Sequence, residues 1–432
     1  MNWAVYPETK ESGIYPIGSI PSHWSMPHLG HISSCLDYLR IPLNSVERAD
    51  MPGDVPYWGA NGVVDAVAKS LVGGPLVLLG EDGAPFFDRL KDKAFFVDSP
   101  IWPNNHIHVL RPGPLVSGQF LAHALNATDY AAWIEGSTRD KLTQSNMTSI
   151  PIPLPPIKEQ QAIVAFLTEQ IASIDTLIVK QEQLIVTLRE DRTATITHAV
   201  TKGLDRSVDL VQPHNSALPT CPSHWTAQIH LKRLAEVQIG VTLGKSVDPA
   251  EAVEVPYLRV ANVQTSGVDL NEVKTVAVHR SELSRYLLNG GDVLMTEGGD
   301  IDKLGRGCIW SGEISPCIHQ NHVFAVRCKD TLSSAFLVYL LDTAVARNYF
   351  FMTAKKTTNL ASTNSTTLGA FTFSLPPRAE QDKIVRHLNE RCERLDALIA
   401  KANAVIEVLR EYRSALITDA VTGKIDVREA VA

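Results

Sequence analysis

The sequence predicts a mixed α/β protein that is built twice, with one long helix after each of two α/β units. Residues 154–205 and 375–426 align without a gap at an offset of 221, and 25 of their 52 positions are identical. Shorter motifs upstream of both segments recur in the same order. A segment duplicated at such a separation indicates two structural units, here related by an internal pseudo-twofold symmetry.

The upstream motifs extend the duplication to most of the chain. They are Pro-Ser-His-Trp at 21–24 and 222–225, Val-Pro-Tyr at 55–57 and 255–257, Ala-Asn at 60–61 and 261–262, and Asn-His at 105–106 and 321–322. We therefore expect α/β units at 1–153 and 218–374 and a first long helix at 154–205. A linker at 206–217 and a second helix with the C-terminal tail at 375–432 complete the chain.

Inside the α/β units, short β-rich runs alternate with Gly, Pro and Asn turns, which is typical of short strands. Strands are predicted at 75–79, 94–97, 292–295 and 322–326, and helices near 118–127 and 333–349.

The two long helices carry the same apolar spacing. Pro155-Pro156 favours a helix start, and the pattern after it alternates steps of four and three residues. This pattern predicts a coiled-coil seam. We expect two helices of roughly 40 residues, ~60 Å long, that pair antiparallel. The alternative is that each helix packs only on its own unit. The seam residues are Leu167, Ile171, Ile174, Ile178, Gln181, Ile185 and Leu188, then Leu388, Cys392, Leu395, Ile399, Ala402, Ile406 and Leu409.

The composition describes a globular protein with two or more domains, since 432 residues exceed one ordinary core. We expect no membrane span and no signal peptide, because apolar runs are interrupted and residues 1–11 are polar. Six scattered cysteines favour the reducing cytoplasm over a disulfide framework. The net charge is −7, and residues 1–153 hold 10 basic and 15 acidic residues. DNA binding depends on local patches, so an acidic total does not exclude it.

Four sets of polar loop residues recur in the frame of both units while their neighbours differ. Their side chains are the types that pair with base edges, as Arg or Lys pairs with guanine and Asn or Gln with adenine. For a single residue the alternative is a turn-capping Asn or a solvated charge. We predict DNA contact for Tyr57, Trp58, Asn61, Glu81, Asp82, Asn104, Asn105, His106, Thr138, Arg139, Lys141 and Gln144, and for Tyr257, Arg259, Asn262, Gln264, Glu297, Lys303, Arg306, Gln320, Asn321, His322, Lys355, Lys356, Thr357 and Asn359.

Three patterns that suggest other chemistry are incomplete. Gly240 and Gly244 have three residues between them, whereas a phosphate-binding P-loop needs four. Cys308, Cys317 and Cys328 lack zinc-site spacing. Glu272 and Lys274 have no upstream acid at a distance suited to a nuclease. The sequence thus predicts no catalytic residue, no metal and no cofactor.

These residues resemble the specificity (S) subunits of type I restriction–modification enzymes. The resemblance covers nearly the whole chain and is carried by the Pro-x-x-Trp motif, by Gly80-Glu81-Asp82-Gly83 and Gly291–Leu294, and by Leu-Pro-Pro-x-x-Glu-Gln-x-x-Ile-Val at 154–164 and 375–385. It implies two target recognition domains that each read half of a split double-stranded DNA site. It also implies that the helices set the gap and dock two methyltransferase subunits, which motor–nuclease subunits join.

Function is therefore expected to be non-catalytic, sequence-specific DNA recognition in a cytoplasmic, heteromeric complex. The alternative is a DNA methyltransferase or nuclease with an unrecognised active site. A third hypothesis is a protein–protein scaffold that does not bind DNA.

Overall fold

The computed structural model describes residues 3–15, 17–135, 140–244, 247–264, 267–299, 304–356 and 361–429. They form two compact units, the first made of residues 1–183 and 402–432 and the second of residues 184–401. Each unit therefore contains one α/β portion and a part of both long helices.

The first unit contains a four-stranded sheet, a three-stranded sheet and two small strand pairs. Its strands are β1 (Thr9–Glu11), β2 (Ser19–Pro21), β3 (Ser33–Cys35), β4 (Val55–Gly59), β5 (Gly62–Val67), β6 (Leu76–Gly80), β7 (Ala94–Val97), β8 (Trp102–Pro103), β9 (Ile107–Pro112), β10 (Ile134–Glu135) and β11 (Lys141–Leu142). Its short helices are α1 (Leu29–Ile32), α2 (Ser45–Ala49), α3 (Gly118–Ala127) and α4 (Gln144–Thr148), and the long helix α5 (Ile157–Lys202) follows.

The second unit repeats this plan with some added strands. Its strands are β12 (Leu210–Val211), β13 (Cys221–Pro222), β14 (Thr226–His230), β15 (Ala235–Ile239), β16 (Ala252–Leu258), β17 (Val263–Gln264), β18 (Gly267–Val268), β19 (Lys274–His279), β20 (Val293–Thr296), β21 (Gly298–Gly299), β22 (Gly307–Ile309), β23 (Ile318–His319), β24 (Val323–Cys328), β25 (Lys355–Lys356), β26 (Ala361–Ser362) and β27 (Thr372–Leu375). Its helices are α6 (Leu231–Leu234), α7 (Leu283–Tyr286), α8 (Ser334–Leu341), α9 (Ala344–Thr353) and α10 (Ser365–Ala370), before the long helix α11 (Arg378–Val421).

Strand order confirms the duplication. The larger sheet is ordered β3-β9-β6-β7 in the first unit and β15-β24-β20-β22 in the second. The smaller sheets are ordered β5-β4-β8 and β19-β16-β23, and in both the last pair is parallel. A predicted α/β unit therefore occurs twice with one topology, at the positions where the sequence motifs recur.

The predicted elements are present with one difference. The four predicted strands correspond to β6, β7, β20 and β24, and the first predicted helix to α3. The single helix predicted near 333–349 is two helices, α8 and α9. The chain turns at Asp342, and the Thr343 hydroxyl accepts a hydrogen bond from the Ala346 N–H, which caps a new helix.

The repeated Glu-Gln dipeptide ties each long helix to its unit. Gln160 accepts a hydrogen bond from the Ser117 N–H at 2.8 Å and donates to the Leu115 and Pro155 carbonyls at 2.9 Å each. Gln381 accepts from the Ser333 N–H at 2.8 Å and donates to the Thr331 and Pro376 carbonyls at 2.9 Å each. The fully buried amides thus satisfy backbone groups at the starts of α3 and α8.

Both long helices end at a glycine in the left-handed region. Gly203 follows α5 with φ +75° and Gly423 follows α11 with φ +71°, a conformation that glycine adopts without strain. A Cβ on Gly423 would lie 2.3 Å from Pro21, so the end of α11 packs closely on the first Pro-Ser-His-Trp motif. In the second unit, Gly203 lies beside Pro222 and Trp225 of the second copy.

Within each unit the two long helices contact one another. In the first unit Asp175 pairs with Arg413 at 3.4 Å and Glu182 with Arg410 at 3.8 Å. The α11 residue number falls as the α5 number rises, so the helices run antiparallel there. In the second unit Arg192 pairs with Asp396 at 3.4 Å, which is the first of these pairs shifted by 221 residues.

The predicted seam residues supply much of the buried surface of these helices. Leu167, Ile174 and Ile185 of α5 are at most 6% exposed, as are Leu388, Cys392, Leu395, Ala402 and Ile406 of α11. The core of the first unit joins Ile163, Phe166 and Leu167 to Leu416, Ile417 and Ala420. Apolar burial of this kind contributes roughly 25 cal/mol per Å².

By length and composition α5 would also be able to cross a membrane. An 18-residue window in it has a mean hydropathy of 1.6, although only 28% of that window is buried. This result differs from the expectation, drawn from the interrupted apolar runs of the sequence, that no segment spans a membrane. Residues of α5 such as Ile163 and Leu167 pack in the core of the first unit, and Asp175 within the helix is paired with Arg413. Other apolar residues of the helix, such as Val179, are exposed.

Candidate nucleic-acid interface

In the first unit, four chain segments contact one another at its surface. The Asn61 side chain donates to the Gly83 carbonyl at 3.2 Å, and the Gly83 N–H donates to the Asp140 carbonyl at 3.2 Å. His106 Nδ1 lies 2.6 Å from an Asp82 carboxylate oxygen. The backbone of Asp82 forms an isolated antiparallel β-bridge with Lys141, the first residue of β11. We call Asn61, Asp82, Asn105, His106 and Lys141 the first polar edge.

A buried ionic network lies beneath this edge. Glu81 is 9% exposed, forms an ion pair with Arg40 and lies 3.2 Å from the Lys141 amino group. His108 bridges an Asp37 oxygen at 2.6 Å and the Leu142 carbonyl at 2.8 Å. Asp37, Glu81 and His108 place potential metal-ligating atoms within 4.8 Å of one another. The hydrogen bonds and ion pairs described above already engage these three side chains. Asp37, Arg40 and His108 could not be predicted from the sequence, because His108 lies 71 residues from Asp37 and Glu81 lies 41 residues from Arg40.

The pKa of Asp37 reflects this network. Burial alone would raise it, but His108, the Val109 N–H and Arg40 together lower it below the usual value. The carboxylate therefore stays ionised, which keeps β9 and the turn at 37–39 linked to one another.

The second unit forms a corresponding edge. His322 Nδ1 lies 2.6 Å from Glu297, and Glu297 directly precedes β21. β21 pairs with β26, and β26 pairs on its other side with β25, which carries Lys355 and Lys356. Both lysines are exposed, and Lys356 lies 3.6 Å from the Phe351 ring centroid. We call Glu297, Gln320, Asn321, His322, Lys355 and Lys356 the second polar edge.

Other predicted contact residues lie in structural positions. Tyr57 is 3% exposed and its hydroxyl accepts from the Leu43 N–H at 2.9 Å. Asn104 and Asn262 are buried, and their side-chain oxygens accept backbone N–H groups of His106 and Arg259. Trp58 packs against Phe95 with ring centroids 5.3 Å apart.

In the second unit Tyr257 is 7% exposed and Arg259 lies 3.3 Å from Glu272. Gln264 is exposed and Arg306 is half-buried. In the first unit Gln144 is exposed at the start of α4. Contact of all these residues with DNA stays a prediction. Thr138, Arg139, Lys303, Thr357 and Asn359 lie outside the described residues.

Comparison with known proteins places the chain in a family. A family model described as the type I restriction modification DNA specificity domain matches residues 40–185 and 222–408. The chain belongs to this family. The two matched ranges correspond to the two repeats, so the resemblance predicted from the doubled Leu-Pro-Pro-x-x-Glu-Gln motif is confirmed.

Two relatives illustrate the likeness. A putative type I restriction enzyme specificity subunit from Haemophilus influenzae is 32% identical over 139 residues, 32% of this chain and 35% of that protein. The type I restriction enzyme EcoKI specificity subunit from Escherichia coli is 25% identical over 331 residues, 73% of this chain and 68% of that protein. The chain thus spans about a third of the length of the first relative and about two thirds of the second.

Two solved structures share the fold. A chain from a structure on complex assembly and conformational transition of the type I R-M system superposes with a TM-score of 0.67 at 16% identity, covering 93% of this chain and 98% of that chain. The HsdS subunit from Thermoanaerobacter tengcongensis gives a TM-score of 0.54 at 15% identity, with 94% and 98% covered.

Proposed function

We propose that this protein is the non-catalytic DNA-recognition subunit of a type I restriction–modification complex. Each unit reads one half of a bipartite site in double-stranded DNA through its polar edge. The long helices set the gap between the half-sites and dock two methyltransferase subunits, which restriction subunits join.

The difference between the two polar edges on one scaffold is the observation that carries this proposal. The Leu142 N–H donates to the Glu81 carbonyl as the Thr363 N–H does to the Glu297 carbonyl, so the strands are equivalent. Yet the equivalent strand positions carry the exposed Lys141 in the first unit and the half-buried Ser362, whose β-strand partner is the exposed Lys355, in the second. A common frame with different exposed side chains is what two readers of different sequences require.

The long helices supply exposed apolar residues suited to subunit docking. In the first unit, Val179 is 62% exposed and Val408 63% exposed, although both helices are otherwise packed and paired. Exposed apolar side chains on two paired helices are suited to contact with another protein. The same docking explains why α5 resembles a membrane helix in composition without needing a membrane.

A cytoplasmic location fits the side-chain chemistry. The six cysteines are free, and burial raises the pKa of the Cys308 thiol to about 11. Buried protonated thiols are unreactive and suit a reducing compartment.

The direct experiment is to produce the chain with its methyltransferase partner in cells and to sequence their methylated DNA. We expect one bipartite motif with a fixed gap, and no methylation when the methyltransferase is produced alone. Methyl transfer by the purified chain alone would instead favour the alternative enzyme function. If the assembled complex bound all DNA sequences equally weakly, a role as a protein–protein scaffold would be favoured.

A further inference from the structure

Each polar edge contains a histidine whose imidazole is held by a carboxylate. We propose that His106 and His322 are equivalent base readers that accept a hydrogen bond through Nε2 from the exocyclic amino group of a cytosine or adenine. Asp82 and Glu297 are positioning residues for these rings and do not contact bases themselves. This inference rests on the proposed DNA-recognition function and assigns an atom to it.

The two histidines occupy the same place in the fold. Each follows an asparagine and directly precedes a central strand, β9 or β24. The Glu81 N–H donates to the His106 carbonyl at 2.9 Å, and the Glu297 N–H donates to the His322 carbonyl at 2.9 Å. The backbone therefore fixes both rings at the same corner of the larger sheet.

The carboxylate that holds each ring comes from a different position in the repeat. Glu297 corresponds to Glu81, but Glu81 is engaged by Arg40 and Lys141. In the first unit the next residue, Asp82, takes its place, and both Nδ1-to-carboxylate distances are 2.6 Å. The contact thus persists although the acid has moved by one residue. A half-exposed pair of this kind contributes little to stability, so stability alone does not explain it.

The carboxylate contact determines which ring nitrogen is available. A carboxylate accepts a hydrogen bond, so the proton of the neutral ring lies on Nδ1 and Nε2 carries the lone pair. The His106 side chain is 39% exposed and that of His322 55% exposed. Among the residues that the structure describes, neither Nε2 has a hydrogen-bond partner. Each ring therefore presents an oriented acceptor to the solvent.

Base chemistry then selects the ligand atom. In the major groove the hydrogen-bond donors are N4 of cytosine and N6 of adenine, while guanine offers only acceptors there. An Nε2 acceptor therefore favours a base pair that places an amino group at that point and disfavours a guanine. Lys141, which forms a β-bridge with Asp82, and Lys355 and Lys356, on the strand pair β25–β26 that joins β21, are suited to phosphates beside the base contact.

Two substitutions at each histidine separate base reading from a structural role. His106→Asn retains a donor near the position of Nδ1 for Asp82 but removes Nε2, whereas His106→Gln places an amide near Nε2 and loses the contact with Asp82. The same pair at His322 tests the second unit independently. Each variant, with methyltransferase, is measured for affinity to the wild-type methylation motif and to duplexes with single base changes.

We expect His106→Asn to reduce discrimination roughly five- to tenfold at one position of one half-site, as befits a single lost hydrogen bond. His106→Gln should retain part of it, and Asp82→Asn should weaken it at the same position. His322→Asn should act on the other half-site. The control His279→Asn, in a histidine–glutamate pair that belongs to neither polar edge, should change no preference.

Three results would overturn the inference. One is that both Asn variants discriminate between bases as the wild type does, while only the Gln variants have a lower unfolding temperature. That result would show that the histidine–carboxylate contact has a structural role only. Another is equal weakening for all sequences with a smaller salt slope, which would show a phosphate contact. The third is lost discrimination at a position that carries guanine in the strand contacted. If the wild-type complex has no bipartite motif at all, the proposed function itself fails.

Discussion

The indole Nε1 of Trp24 donates a hydrogen bond to the Glu159 carboxylate at 3.1 Å, joining the first Pro-Ser-His-Trp motif to the start of α5. His23 lies 2.8 Å from the other carboxylate oxygen. The repeat forms the same junction, in which Trp225 and His224 contact Glu380 at 3.2 and 2.8 Å. Two motifs that are more than a hundred residues apart in sequence therefore recur because they bind each other.

Glu159→Ala is expected to destabilise the first unit by roughly 2–4 kcal/mol, because the buried Trp24 and Tyr6 donors lose their acceptor. Glu380→Ala is the matched control and should cost less, since the Glu380 side chain is 26% exposed against 7% for Glu159. Denaturant unfolding of the purified chain measures both. A loss for Glu380→Ala that equals or exceeds that for Glu159→Ala would contradict this ranking.

Acid should weaken the first unit through Asp37. Its pKa in the folded protein is lowered, so its contribution to stability is present above about pH 4, near the ordinary aspartate value, and is lost as the pH falls through the lowered value. Asp37→Asn should flatten the fall in unfolding free energy below that pH, whereas the exposed control Asp98→Asn should leave it unchanged. Equal acid sensitivity in Asp37→Asn and wild type would exclude the network as its source.

Lys355 and Asn321 are expected to make different kinds of contact with DNA, the first with phosphate and the second with a base. Lys355→Ala, on exposed β25, should weaken binding to all sequences alike and lower the salt slope by about one. Asn321→Ala should relax one base position at a cost of ~1–3 kcal/mol. Affinities of the assembled complex for matched and mismatched duplexes at several salt concentrations distinguish them, with Lys383→Ala on α11 as control. The assignments are reversed if Lys355→Ala alters base preference while Asn321→Ala only shifts the salt slope.

The gap between half-sites should depend on helix length. Four residues inserted after Gln181 add about one turn, ~6 Å, or roughly two base-pair steps. The ion pairs of α5 with α11 favour a matched insertion after Ala402, the repeat equivalent of Gln181, because each unit then retains its own pairs. Methylated DNA sequencing should show the same half-sites with a longer gap. Full activity with the original gap would show that these helices do not set it.

Much of the fold follows from the sequence because its signals are local or repeated. The heptad spacing identifies Leu167 and Leu388 as buried, and Pro155-Pro156 marks where the first long helix begins. The site is less predictable. Tyr57 and Asn262 have the residue types of base readers but form hydrogen bonds within the fold. Arg40, which forms an ion pair with Glu81, lies 41 residues from it in the chain, and no sequence pattern links the two.

The exchange of one unit tests most directly the central claim that each unit reads one half-site. Residues 1–150 are replaced by the first domain of a family member that carries the same Pro-x-x-Trp and Leu-Pro-Pro-x-x-Glu-Gln motifs, so that the Trp24 and Glu159 contact is retained. The hybrid is produced with the methyltransferase, and methylated DNA is sequenced. We predict one altered half-site, with the other half-site and the gap unchanged. Altered bases in both half-sites would contradict independent recognition.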